Sequence, residues 1–324
     1  MSKVLLEVKD LKKYFEVKGK NLRAVDGVSF TINEGETMAL VGESGCGKST
    51  VGNVLVRLYE PTAGFIFFEG NDITKAKGKM KVEQCRSIQI IFQDPYSSLN
   101  PKKTIRKILS EPYQVQNHMK RKDIKLKIEE VCRDTNIALN LLNKYPHELD
   151  GGKRQTVGIA RALSLNPKLI VCDEPVSALD VSIQAQVINM MMDLQEKKKL
   201  TYLFISHDLS VVRHISRRIN VMYLGKIMEE ALTEDLFENP QHPYTKALLS
   251  AVPSVESDKG KKRIVLAGDV PSPIDPPPGC NFSNRCWMAD DICLVSEPVL
   301  EDTGQTGHRV ACHFAQKAVQ SMLS

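Results

Sequence analysis

The chain has 324 residues, 42% of them hydrophobic and 26% charged, an ordinary composition for a folded protein with one large or two modest cores. No apolar run approaches the roughly 20 residues needed to span a bilayer, and charge interrupts the first ten residues too soon for a secretory leader, so the expected setting is the cytosol or the cytosolic face of a membrane. The net charge of +5 is spread along the chain without a concentrated basic footprint, so no nucleic-acid partner is expected.

From residue 3 to about 40 apolar and polar residues alternate (Val4, Leu6, Val8, then Val25, Val28, Phe30, Ile32), which predicts antiparallel strands. Thr37-Met38-Ala39-Leu40-Val41 reads as a short buried strand, and Thr50 to Leu58 as an amphipathic helix. Between them Gly42-Glu43-Ser44-Gly45-Cys46-Gly47-Lys48-Ser49 reads G-x-x-x-x-G-K-S. Strand, glycine-rich loop and helix in that order are the context of a phosphate-binding loop. Glycines let backbone N–H groups turn inward around phosphates, and the helix N-terminus adds positive potential. Gly42, Ser44, Gly45, Cys46, Gly47 and Thr50 are therefore nucleotide-contact candidates. Lys48 suits the terminal phosphates, and the Ser49 hydroxyl suits Mg²⁺.

Further along, Glu60 to Gly64 is a turn, Phe65 to Phe68 a strand, and Ile88 to Phe92 another. From about 104 to 165 the pattern is mostly helical, with Pro146 as a break. Three apolar runs, Leu169 to Cys172, Tyr202 to Ile205 and Asn220 to Tyr223, read as buried strands of a parallel sheet separated by helices, an α/β core. After about residue 250 the prolines Pro271, Pro273, Pro276, Pro277 and Pro278 mark an irregular linker before a cysteine-rich tail.

The strand Leu169 to Cys172 ends in Asp173-Glu174, and ligands gather beyond the carboxyl ends of parallel strands. Asp173 suits Mg²⁺ coordination, and Glu174 suits polarising an attacking water. His207 ends the next strand, where a donor could meet a γ-phosphate.

Of eight cysteines, Cys46, Cys85, Cys132 and Cys172 are scattered and read as small buried or incidental thiols. Cys280, Cys286, Cys293 and Cys312 crowd the tail in the spacing C-x5-C-x6-C-x18-C, which in a cytosolic chain suggests metal before disulfide. Without a C-x2-C pair an ordinary zinc ribbon is disfavoured, and four thiolates suit a 4Fe–4S cluster, with zinc, free thiols or disulfides as alternatives.

These motifs together resemble the ATP-binding cassette of ABC transporters over roughly residues 4–235. Gln93 matches the glutamine of the Q-loop, which implies a catalytic and Mg²⁺-binding role beside Ser49 and Asp173. Ser177-Ala178-Leu179-Asp180 matches the D-loop, and His207 the switch histidine. Phe15 lies where an aromatic stacks on adenine, with Tyr14 as the neighbouring alternative. Leu149-Asp150-Gly151-Gly152-Lys153-Arg154-Gln155 occupies the signature position, usually LSGGQ, so Asp150, Gly151 and Gly152 are implied contacts to a nucleotide held by a second chain. Asp150 and Lys153 depart from the usual serine and glutamine; Asp is an equally good helix N-cap, but it sets a carboxylate beside a polyphosphate. The implied fold is a P-loop cassette over 1–250 (RecA-like core, antiparallel β subdomain, helical subdomain at about 95–165), with an irregular cysteine-rich extension over 251–324.

Finer features, Phe92 to Pro101, Tyr145 to Leu149, His242 to Thr245 and the tail from Pro278 to Cys312, resemble the oligopeptide/dipeptide importer ATPases. That resemblance implies an ATP hydrolase that energises import of di- or oligopeptides from the cytoplasmic face. Its implied partners are a second ATP-binding subunit, identical or different, packed head-to-tail, two membrane-spanning permease subunits, and indirectly a peptide-binding protein. It implies that the segment from about Gln93 to Ile108 docks a permease, and it supports the 4Fe–4S assignment of the tail. The alternatives are a nickel importer, or a subunit with a weakened signature in an asymmetric heterodimer. A soluble repair or translation ATPase is disfavoured, because the chain has one cassette and no heptad insertion.

Overall fold

The computed structural model describes residues 3–117, 119–252, 263–268, 271–274, 276, 278–305 and 307–315; Pro277 and the remainder of the 251–324 extension lie outside them. Two long strands open the chain, β1 (Val4–Val17) and β2 (Lys20–Asn33), paired antiparallel. Their link, Lys18-Gly19, has φ of 51° and 75°. Two positive φ values give the turn twist that matches a pair of right-twisted strands. After β3 (Thr37–Val41), β4 (Ala63–Phe68) and β5 (Asn71–Asp72) complete the first sheet in the order β2-β1-β4-β5.

The second sheet carries the core. β6 (Ile88–Ile91), β7 (Leu169–Asp173), β8 (Thr201–Ser206), β3 and β9 (Arg218–Tyr223) run parallel. Antiparallel β10 (Lys226–Leu232) follows on β9. Every residue of β3, β7 and β8 is buried, as expected of parallel strands covered on both faces. The two-residue alternation sorts them between two cores. Met38, Leu40, Val171, Leu203 and Ile205 pack with the apolar face of β1 and β2. Ala39, Val41, Ile170, Cys172, Tyr202 and Phe204 pack with the helices.

The region expected to be helical holds Ile105–Asn117, Arg121–Asp134 and Gly151–Leu163, the last capped by Asp150. The extension, expected to be irregular, departs from that in part. Its short strands β11 (Glu301–Asp302) and β12 (Arg309–Val310) continue the core sheet beyond β10, and Ala311 N donates to Met228 O at 2.8 Å. Among the described residues no helix is long and apolar enough to cross a membrane.

Candidate nucleotide site

Strand register builds the site. Val41 lies opposite Ser206 and Val221, Asp173 opposite Ile205, and Ile91 opposite Cys172. The carboxyl ends of β3, β6, β7 and β8 therefore stop nearly level. Gly42, Gln93, Glu174 and His207 follow them and all line one cleft of about 680 Å³. That is the sheet edge where ligands of open α/β folds gather, and the volume suits a small molecule.

The loop's shape needs its glycines. Gly42 has φ of 152°, and a Cβ there would stand 2.1 Å from Met222 O; Gly47 has φ of 103°, and a Cβ would stand 2.0 Å from Ala24 O. Gly47 then caps the helix Lys48–Leu55, whose N-terminus faces the cleft. Lys48 folds back over the loop, its Nζ donating to Gly42 O at 2.8 Å and Glu43 O at 2.9 Å. The ammonium is thus held where a polyanion would lie.

Ser49 Oγ donates to Asp173 Oδ1 at 2.7 Å. Burial raises the Asp173 pKa, and the Ser49 hydroxyl opposes that shift. A buried carboxylate and a hydroxyl in contact are hard oxygen donors that fit Mg²⁺, whose charge would offset the desolvation. Glu174 sits in a left-handed backbone conformation, φ 46°, with its N–H donating to Ile205 O at 2.9 Å. Its carboxylate is bracketed: Gln93 Nε2 donates to Oε2 at 2.8 Å, and His207 Nδ1 lies 3.1 Å from Oε1.

Phe15, rather than Tyr14, lines the cleft. Tyr14 is occupied elsewhere: its hydroxyl donates to Asp26 Oδ1, and burial pushes its pKa up to about 12. Ser44, Gly45, Cys46 and Thr50 also line the cleft. The signature residues do not: neither Asp150, Gly151 nor Gly152 is among its walls. Asp150 caps its helix instead, Oδ1 accepting from Lys153 N at 2.8 Å and Oδ2 from Lys153 Nζ at 2.6 Å, and these bonds hold its pKa below the usual carboxylate value. Sequence reading missed Arg23, Leu248 and Pro273, which also line the cleft. Pro273 reaches it because Arg23 N donates to Pro273 O at 3.0 Å, a contact across the whole chain that no local spacing announces.

The tail cysteines correct an expectation. Among the described residues no group of three or more His, Cys, Asp or Glu side chains could hold a metal ion. Cys280, Cys286, Cys293 and Cys312 are free. Burial pushes Cys280 and Cys286 up to about 11 and raises Cys312. Cys280 and Cys293 are buried in the helical-side core with Phe282, and Cys286 packs against it. The expected 4Fe–4S cluster is not supported; Cys280 and Cys293 serve as small core side chains.

Comparison with known proteins bears on the same residues. Residues 25–177 match the family described as ABC transporter, and residues 228–293 the family described as oligopeptide/dipeptide transporter, C-terminal region. The chain is 51% identical over 321 residues to the oligopeptide transport ATP-binding protein AppF of Bacillus subtilis, covering 96% of this chain and 97% of that protein. It is 47% identical to the dipeptide transport ATP-binding protein DppF of Haemophilus influenzae, covering 95% and 96%. Among solved structures, cbiO1 from Clostridium perfringens, part of an ABC transporter complex, aligns with a TM-score of 0.65 at 25% identity over 73% of this chain and 92% of that chain. The ATP-binding cassette MJ0796, solved as a dimer bound to ADP and Pi, aligns with a TM-score of 0.65 at 26% identity over 71% and 99%.

Proposed function

The chain belongs to the ATP-binding cassette family of ABC transporters, and from that membership we propose that it binds and hydrolyses ATP to energise import of dipeptides or oligopeptides. The observation that carries this is the level ending of four core strands, which gathers Gly42, Gln93, Glu174 and His207 around one cleft. The names of the relatives support peptide rather than nickel as cargo. A weakened signature is not favoured either, because Asp150 keeps its cap and Lys153 offsets its charge.

In this reading residues 1–250 form the cassette and 251–324 an extension. The loop N–H groups and Lys48 bind the phosphates, and Phe15 packs on the base. Ser49, Asp173 and Gln93 would hold Mg²⁺, which when bound neutralises charge on the terminal phosphates. Glu174 accepts a proton from the attacking water and orients its oxygen toward Pγ. The bond from Pγ to the ADP oxygen breaks, and ADP leaves with that electron pair. His207 donates to the γ-phosphate as it separates. Asp150, Gly151 and Gly152 stand outside the chain's own cleft, which supports their use by a second ATP-binding subunit packed head-to-tail. Two permease subunits, one docked on the segment from Gln93 to Ile108, would place the assembly on the cytoplasmic face of the membrane, with a peptide-binding protein beyond.

Glu174→Gln tests the assignment. It should keep ATP binding and lower steady-state turnover in the assembled transporter by about 10²–10⁴-fold. A variant that retains most of its rate would remove Glu174 from the mechanism.

A further inference from the structure

Glu43, the second residue of the phosphate loop, lines the nucleotide cleft. All of its polar groups are held. Its N–H donates to Tyr244 Oη at 2.8 Å, and its carbonyl accepts from Lys48 Nζ at 2.9 Å. Its carboxylate is gripped from 242 positions away: Arg285 NH1 donates to Oε2 at 2.6 Å and NH2 to Oε1 at 3.1 Å. This is the two-pronged arrangement that only a guanidinium makes with a carboxylate.

Arg285 belongs to the extension, and it is seated firmly. Its side chain is 7% exposed, and NH1 also reaches Tyr223 Oη at 3.4 Å. The preceding turn is anchored by Phe282, whose ring lies 5.3 Å from both Tyr223 and Tyr244. Asn281 Nδ2 adds a bond to Leu224 O at 3.1 Å.

A carboxylate on the wall of a polyphosphate cleft would repel its ligand unless neutralised. Glu43 has a partner from a distant segment that matches both its charge and its shape. We propose that Arg285 is a positioning residue for ATP: by neutralising and fixing Glu43 it holds the phosphate loop in its receptive form, and so links the C-terminal extension to nucleotide binding. This rests on the reading that ATP occupies the loop. By linkage, whatever loosens the extension weakens ATP, and ATP steadies the extension to the same degree.

Equilibrium dialysis of the full chain against radiolabelled ATP and ADP tests it. Arg285→Ala should weaken ATP roughly 5–10-fold, the scale of one nearby unit charge screened by water. ADP, with one charge fewer, should weaken less. The double variant Glu43→Gln with Arg285→Ala should bind ATP more tightly than Arg285→Ala, because the repelling charge has gone. Unchanged ATP affinity in Arg285→Ala, an equal loss for ATP and ADP, or a double variant no better than the single would overturn the proposal. Should Arg285→Ala lose its cooperative melt, Arg285→Lys decides. Retention of most ATP affinity supports the charge role, and parallel loss of ATP and ADP refutes it. A wild-type chain that binds neither nucleotide would instead sink the ATP reading itself.

Discussion

Among the described residues two glutamate–histidine pairs have opposite characters. At the nucleotide edge His207 lies 3.1 Å from Glu174, with side chains 56% and 12% exposed. At the tail edge His308 lies 2.7 Å from Glu229, and both side chains are 0% exposed. Glu229 also accepts the backbone N–H groups of Gln241 at 2.7 Å and His242 at 2.9 Å. Glu174 has two side-chain partners and a side open toward the cleft. The same two residue types thus serve two ends. A carboxylate with spare capacity beside a cavity can exchange partners with substrate and water. A dry carboxylate with its acceptors filled fixes one segment to another, here the extension to β10 and to the helix Pro243–Ser250.

The largest expected effect separates the pairs by stability. Glu229→Ala leaves two buried N–H groups and His308 without their acceptor, and it should cost about 3–5 kcal/mol in denaturant unfolding. Glu174→Gln, at the half-open pair, should cost less than about 1 kcal/mol while removing turnover. Equal costs at the two sites would dissolve the distinction.

A pH titration sharpens it from the tail side. Burial pushes His242 from 6.5 down to about 4, with Glu229 opposing and Lys246 adding to the fall. Its Nδ1 accepts the Tyr244 N–H at 3.0 Å, which a protonated nitrogen cannot do. Between about 4 and 6.5 the unfolded chain therefore binds more protons than the folded one, and stability falls as pH drops through that window. The loss should approach about 3 kcal/mol near pH 4 and vanish above 6.5. His242→Asn, which keeps a capping acceptor, should flatten the slope. An unchanged slope would assign the acid sensitivity elsewhere.

At the nucleotide edge Lys48→Ala should weaken ATP about 10–100-fold, the worth of a hydrogen bond to a charged group, without lowering the melting temperature by more than a few degrees. Among the described residues Lys48 bonds only to its own loop carbonyls and the Cys46 thiol, so the fold loses little. A collapse of stability instead of affinity would make Lys48 a structural residue like Glu229.

Much of the nucleotide edge is legible in the sequence, because each piece is local. G-x-x-x-x-G-K-S fixes the loop, and apolar runs ending in Asp173-Glu174 and Ser206-His207 mark strand ends. Their mutual contact is not local. The approach of His207 to Glu174 depends on Asp173 pairing with Ile205, a register that no spacing states. The tail edge is illegible for the same reason on a larger scale: His308 and Glu229 are 79 residues apart, and Arg285 and Glu43 are 242 apart. The four tail cysteines misled because their spacing and the family resemblance suggested ligands, whereas packing makes Cys280 and Cys293 core side chains beside Phe282.

The smallest effect concerns a third pair, Asp150 with Lys153, which lies outside both edges of the comparison. Read from sequence, a carboxylate at the signature either weakens the composite site by standing beside the partner's γ-phosphate or is tolerated because Lys153, three residues on, offsets its charge. In the fold Asp150 spends one oxygen on the cap and the other on the Lys153 ammonium, so an approaching phosphate meets a nearly neutral pair at a helix N-terminus. Both side chains are largely exposed, where solvent and salt screen what remains. Serine at 150 would cap about as well, within a few tenths of a kcal/mol. Asp150→Ser with Lys153→Gln should therefore leave the ATPase rate of the assembled transporter within about twofold, since the two removed charges cancel. The single change Lys153→Gln should be worse than the double, because it leaves the carboxylate without its counter-charge. A double variant several-fold faster than the wild type would mean that Asp150 meets the phosphate uncompensated, and that an open pair beside a substrate can hinder as well as serve it.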